Sequence, residues 1–171
     1  MKFFTFIVFF HSITFCQLSL DSTLSTISYK GSHPFHKWKG VSNEITILQD
    51  CNQADLLCNI EISVPIISFD SKNTNRDSNM LYYLNGYDYP SASLKIVEFD
   101  LNSLKKVEDS LLIAGVISIK GIKKEKEFFV ELIENNNNIR VRSNFDIKLE
   151  DFDISVPTLL LIPINQTIKI E

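Results

Sequence analysis

A chain of 171 residues with 44% hydrophobic and 22% charged residues is long enough for one domain with a sizeable core and too apolar for intrinsic disorder. Its formal charge is −4, and its only locally basic run, Lys123-Lys124-Glu125-Lys126, is neutralised by Glu125 and Glu127; this excludes a nucleic-acid surface, which needs a basic stripe with interleaved aromatics. No repeat of about 20 to 50 residues and no Pro/Gly/Ser linker divides the chain, so a single domain is expected.

Residues 1–16, MKFFTFIVFFHSITFC, carry Lys2 and then an apolar run too short to span a bilayer, the pattern of a secretory signal peptide. Cleavage is expected before Gln17, with Thr14 and Cys16 in the small-residue positions. Phe15 directly before Cys16 argues against a lipidated cysteine. The mature domain is then 17–171, periplasmic or secreted, with no membrane span left after cleavage. Loss of Lys2 moves the formal charge from −4 to −5. Cys51 and Cys58 remain as an even pair in an oxidising compartment. They flank a turn-like segment, 52–55, between the runs Glu44–Leu48 and Cys58–Ile62, and this placement suggests a bridge across a hairpin. The bland alternative is two free thiols in a loop; catalytic CxxC spacing is absent.

In chain order the sequence reads as strand after strand. Thr26–Lys30 alternates polar and apolar, and an apolar run from Ile60 to Ile67 ends in a Ser/Asp/Asn cluster suited to a turn and helix cap. From Asn75 the spacing of Met80, Tyr83 and Leu84, with Asp77 in the first turn and Asn85-Gly86 at the end, predicts roughly three turns of amphipathic helix that can plug one end of a sheet. Asn73 or Asn75 is the expected cap, and Arg76 is expected to pair with Asp70 or Asp77. Period two returns over Leu111–Ile119, Phe128–Leu132 and Ile139–Leu149, with breakers at Lys120-Gly121 and the tract Glu134–Asn138. Lys105–Asp109 reads as an exposed turn, and Asp151-Phe152-Asp153 before Pro157 as a strand-to-loop corner. The alternation puts Ile117, Ile119, Phe128, Val130, Val141 and Phe145 on the inner face. Eight or so strands with one helix make an antiparallel meander that must close or stack to hide its edges.

Chemistry-bearing constellations are scarce. His33 and His36, on one strand, would fall on opposite faces, which is wrong for two ligands of one metal ion. There is no G-x-S-x-G, no G-x-G-x-x-G and no paired-carboxylate site; Asp100, Asp109, Glu150, Asp151 and Asp153 read as solvated loop charges. No enzyme, cofactor or metal is expected. Tyr29, Phe35, Trp38 and Phe69 lie near strand ends, where they either line a cavity mouth or pack beneath the helix. Asn165-Gln166-Thr167 fits the N-glycosylation pattern, which means little in a bacterial-looking secreted protein.

Ser68-Phe69-Asp70-Ser71, then Asn75-Arg76-Asp77 with Met80, then Tyr89-Pro90, resembles the YceI-like family of secreted and periplasmic lipid- or polyisoprenoid-binding proteins. His33–Gly40, Gly115-x-Ile117-x-Ile119-x-Gly121-Ile122 and Phe145-x-Ile147 with Asp151-Phe152 and Pro157 extend the likeness over about residues 24 to 171. It departs at Asn79 and Lys120, where the family commonly carries histidine. The resemblance implies an all-β, lipocalin-like, eight-stranded up-and-down barrel with the short helix packed at one end, an elongated apolar cavity and a bound isoprenoid lipid or quinone. It also implies a homodimer. The ligand residues would be the inward set above, with Phe35, Trp38 and Phe69, with Ile62, Val64 and Phe99 from the strands, and with Met80 and Leu84 from the helix. The expected function is an exported carrier or buffer of an apolar lipid; the alternative is a filled barrel serving as a structural or interaction module of the envelope. Both need inward Ile, Val, Leu and Phe, so the residues alone leave the choice open.

Overall fold

The computed structural model describes residues 23, 25–52, 56–105, 110–135 and 138–171. The leader with Cys16, residues 53–55 of the cysteine hairpin, residues 106–109 of the exposed turn and two of the consecutive asparagines lie outside them. Four strands open the chain: β1 (Ile27–His33), β2 (His36–Ser42), β3 (Thr46–Asn52) and β4 (Leu57–Pro65). The helix α1 (Thr74–Tyr83) leads into β5 (Ser91–Asp100), β6 (Ser110–Ile119), β7 (Ile122–Asn135), β8 (Asn138–Ser143) and β9 (Phe145–Lys148). A small hairpin, β10 (Thr158–Leu159) and β11 (Ile162–Pro163), precedes β12 (Thr167–Ile170). Single 3-10 turns occupy Ile66–Ser68, Leu101–Lys105 and Leu149–Phe152.

The strands form a six-stranded sheet in the order β3-β4-β5-β6-β7-β8 and a four-stranded sheet in the order β2-β1-β12-β9, antiparallel throughout. Two chain segments pass from one sheet to the other, β2 into β3 across 43–45 and β8 into β9 across Asn144. These crossings curl the whole into an antiparallel half-barrel. With six and four strands in the two sheets, the ladders do not by themselves establish a count of eight.

Alternation explains the long ladder. In β6, Ile113, Ile117 and Ile119 are buried while Leu112 and Ala114, on either side of Ile113, are exposed, and β7 pairs with it from Ser110↔Glu131 to Ile119↔Ile122. The connecting Lys120 and Gly121 both take positive φ, 52° and 75°, as a two-residue hairpin turn matched to strand twist requires. The Tyr89 ring lies where a Cβ on Gly121 would stand, 2.5 Å away, so the glycine serves the turn and the close approach together. By contrast β5 and β6 pair only from Ser93↔Ser118 to Lys95↔Val116, and the six-stranded wall parts beyond that point.

Two strand expectations need correction. The run Ile60 to Ile67 leaves the sheet at Pro65 and closes into a 3-10 turn at Ile66–Ser68, because proline has no N–H for a further ladder bond. The run Ile139 to Leu149 is interrupted at Asn144, where the chain changes sheets, and again at Leu149, which opens a 3-10 turn. Its last apolar residues therefore pack as a corner, with Leu149, Phe152 and Ile154 buried.

The helix begins where the sequence places it. Asn73 caps it, its Oδ1 accepting from Arg76 N at 3.0 Å. The Asp77 carboxylate reaches back to accept from Ser71 N at 3.2 Å, favourable beside the positive helix N-terminus. Asn85 takes a left-handed conformation and Gly86 N donates to Leu81 O at 2.8 Å, closing the C-terminus in the usual way.

The buried side chains form two clusters. One gathers Ile117, Ile119, Ile147, Leu149, Phe152, Ile154 and Ile168; the other Cys58, Ile60, Ile96, Ile113, Phe128 and Val130. Among the described residues only Leu94 and Phe145, both partly covered, pack against the two of them.

Candidate functional site

The seam between the clusters is the first part of the site. Ile47, Ile62, Leu94 and Ile117 stand in register across β3, β4, β5 and β6. Ile117 is buried, but Ile47, Ile62 and Leu94 are only half-covered although each packs against a core cluster. Phe145, whose ring is tilted on Phe128 at 5.3 Å, is likewise half-covered. Ile47, Ile62 and Leu94 of this row, with Phe145, make a lane of apolar surface that the protein's own side chains cover only in part.

The second part is an aromatic and polar end beneath the helix. On β1 and β2, Tyr29 is opposite Gly40 and Trp38 opposite Gly31. Each ring occupies the space a cross-strand Cβ would need, 2.2 Å for Tyr29 over Gly40 and 2.4 Å for Trp38 over Gly31. The Phe69 ring meets Tyr29 edge-on at 5.5 Å, and the Arg76 guanidinium lies over Trp38 at 5.4 Å, a cation–π distance. Arg76 Nη1 also donates to Ser71 O at 3.2 Å and Ser71 Oγ at 3.3 Å.

Arg76 thus makes neither expected ion pair. Asp77 is engaged by the Ser71 amide, and Asp70 binds Lys72, with Nζ at 2.6 Å. The Lys72 side chain and amide together hold the exposed Asp70 carboxyl below the usual carboxylate range. The guanidinium fixes the turn before the helix through a carbonyl and a ring face instead.

Burial, reinforced by the nearby Asp77 charge, pushes the Tyr29 phenol up to about 12. Arg76 and Ser71 offset part of the rise, yet Ser71 does not reach hydrogen-bond geometry, and the buried Tyr29 hydroxyl has no protein partner. His33 is buried too; its Nδ1 accepts from Phe35 N at 3.4 Å, while its Nε2 has no partner. With Nδ1 accepting, the neutral ring carries its proton on Nε2. Among the described residues, the buried Tyr29 Oη and His33 Nε2 are thus both without a hydrogen-bond partner.

His33 and His36 do not occupy one strand. Pro34 and Phe35 form the turn between β1 and β2, so the two histidines face each other in register, with ring centroids 5.7 Å apart. Among the described residues no group of three metal-ligating side chains gathers around them.

The other anticipated ligand residues fall in several places. Ile119 joins the first cluster, and Phe128 and Val130 the second. Phe99 packs half-covered on the second cluster and Leu84 on the first. Val64 is buried outside both, and Met80 is half-buried on the helix. Phe35, at the tip of the β1–β2 turn, is 68% exposed. Val141 is 61% exposed although it pairs with the inward Leu132, because β8 is the last strand of its sheet and nothing further covers it. Leu94 and Ile47 were not singled out from the sequence; the Ala92-Leu94-Ile96 alternation was the available signal for Leu94.

Cys51 and Cys58 stand opposite each other in the β3–β4 ladder and are joined by a disulfide. Two concavities stand out on the surface of the described residues. One of about 570 Å3 is lined by Lys30, Lys37, Lys39, Lys169 and Asn165 among others; of the anticipated ligand residues it includes only Trp38. The other, about 200 Å3, lies beside Leu81, Tyr82 and Tyr87. Neither is the elongated apolar cavity that the resemblance implies.

An antiparallel half-barrel with an aromatic end under one short helix defines a curled, barrel-like all-β fold. The YceI-like domain profile matches residues 18–171, and the chain belongs to that family. Its fold is similar to that of Burkholderia cenocepacia BcnA (TM-score 0.72, 14% identity, 89% of this chain and 96% of that one). It is also similar to a polyisoprenoid-binding domain from Saccharophagus degradans implicated in plant cell wall breakdown (0.65, 12%, 88% and 91%), and to the YceI protein of Campylobacter jejuni (0.53, 17%, 90% and 85%). No curated protein matches the chain.

Proposed function

We propose that this protein binds an apolar, isoprenoid-tailed lipid in its interior and carries or buffers it outside the cytoplasmic membrane, without catalysis. The observation that carries this reading is the half-covered lane of Ile47, Ile62, Leu94 and Phe145 between two otherwise packed clusters. A long prenyl chain in water exposes apolar area worth about 25 cal/mol per Å2, and the same is true of the lane, so their union removes both costs. Family membership and a structural neighbour described as a polyisoprenoid-binding domain support the same ligand class. The buried donors Tyr29 Oη and His33 Nε2 suit a headgroup with carbonyl or phenolic oxygens, such as a quinone. The Cys51–Cys58 disulfide agrees with an exported protein.

Mass spectrometry of an organic extract of protein purified from its native host tests the proposal. A prenyl lipid at near-stoichiometric amount is the expected result. An extract free of such lipid would favour the filled-barrel, structural reading.

A further inference from the structure

Leu161, at 96%, is the most exposed large apolar side chain among the described residues, and Leu160 beside it is 77% exposed. The two leucines are the turn of the β10–β11 hairpin, in which Thr158 pairs with Pro163 and Leu159 with Ile162. Leu159 and Ile162 are exposed as well, so four consecutive apolar side chains project from one ribbon. Both turn leucines take positive φ, 52° and 66°, a region that favours glycine and asparagine. A two-residue hairpin turn of this kind ordinarily uses Asn-Gly. Leucines here forgo the relaxed backbone and gain no burial within the chain, which points to a use for them outside it.

What lies beside the hairpin says what that use is. Ile164 N donates to Pro157 O at 3.0 Å and Asn165 N to Ser32 O at 2.8 Å, stitching the hairpin base to β1. Asn165 then borders the open concavity of about 570 Å3, whose rim carries Lys30, Lys37, Lys39 and Lys169 together with one carboxylate, Asp146, which stands opposite Lys169 in the β12–β9 ladder. Lys39, Lys30 and Lys169 stand side by side in register across β2, β1 and β12. Glu171 engages Lys30 and Lys39; Lys37 and Lys169 have no carboxylate within ion-pair distance among the described residues. Four lysines against Asp146 and Glu171 leave a net cationic face beside an apolar wedge, on a chain whose formal charge is −4.

We infer that the Leu159–Ile162 hairpin and the adjoining lysine face dock the protein on an anionic lipid bilayer. The leucines enter at headgroup depth while the lysines meet lipid phosphates. A protein partner fits less well, since lysine and leucine are not the residues that anchor protein interfaces. The inference rests on the lipid-carrying reading, for which contact with a membrane is the loading or unloading step.

The test is co-sedimentation of the mature protein with phosphatidylcholine vesicles, with and without phosphatidylglycerol. Wild type is expected to bind the phosphatidylglycerol vesicles and to release as salt rises. The double change Leu160→Asn with Leu161→Gly installs the residues the turn prefers, so folding is kept, and vesicle binding should fall at least roughly tenfold. Lys37→Glu with Lys169→Glu should lower binding to the anionic vesicles. Failure of wild type to sediment, or unchanged binding by the Asn-Gly variant, overturns the proposal. Lipid extracted from the wild-type preparation reports separately on the carrier reading, because it does not depend on the docking variants.

Discussion

Replacing Arg76 with alanine removes two hydrogen bonds, to Ser71 O at 3.2 Å and Ser71 Oγ at 3.3 Å, and the guanidinium over Trp38 at 5.4 Å. A hydrogen bond from a charged donor contributes about 1.5 to 3 kcal/mol when buried, and a cation–π contact about 0.5 to 2 kcal/mol. Arg76 is half-buried and these terms share one side chain, so the expected loss is about 2 to 3 kcal/mol. In a domain of this size that lowers Tm by roughly 4 to 12 °C. Arg76→Lys should recover less than half of it, since an ammonium lacks the planar guanidinium face that lies over the Trp38 ring. Thermal melts of the three proteins, with lipid content measured per folded molecule, make the assay. An unchanged Tm for Arg76→Ala would refute the assignment of Arg76 to the turn. If lipid content alone fell, Arg76 would be a ligand contact.

Free-thiol titration of denatured, unreduced mature protein should find no thiols, and replacing both Cys51 and Cys58 by alanine should cost roughly 2 to 3 kcal/mol by chemical denaturation, the loop between them being short; two titratable thiols would contradict the bridge. The Tyr29 phenol is raised from 10.0 to about 12, so its contribution to stability is fully present below pH 10 and is lost as pH rises through 12. Stability of the wild type should therefore fall more steeply than that of Tyr29→Phe over this window, by up to about 2 kcal/mol after allowing for the ring's partial exposure; parallel curves would contradict it. Ile62→Trp, in the half-covered lane, should leave Tm nearly unchanged and expel bound lipid, whereas Ile117→Trp, in a packed cluster, should destabilise by roughly 1 to 3 kcal/mol. Equal destabilisation by both would mean that the lane is ordinary core.

The period-two runs made the strands legible, and Asn73, Asp77 and Asn85-Gly86 made the helix legible, because each feature reflects local backbone chemistry that neighbours in sequence supply. The register of Cys51 with Cys58 was readable for the same reason. Features that depend on which strand ends a sheet were not. Val141 alternates like a core residue, yet its strand is the sheet's last, and Asn144 gives no hint that the chain changes sheets there. His33 and His36 looked like one strand because Pro34-Phe35 resembles a kink as much as a turn. Leu160 and Leu161 were hidden most completely: no propensity assigns positive φ to adjacent leucines, so Thr158–Pro163 reads as an apolar segment rather than as a hairpin tip. Leu94 follows a plain alternation, but its half-covered state depends on which distant side chains pack against it, which sequence does not reveal.

Native mass spectrometry of the mature protein purified from its own host, in a buffer free of added detergent, tests the central claim most directly. One prenyl-lipid mass per chain is predicted for wild type, with the adduct lost in Ile62→Trp. A wild-type spectrum showing only the bare chain mass, from protein that remains folded, would contradict the account.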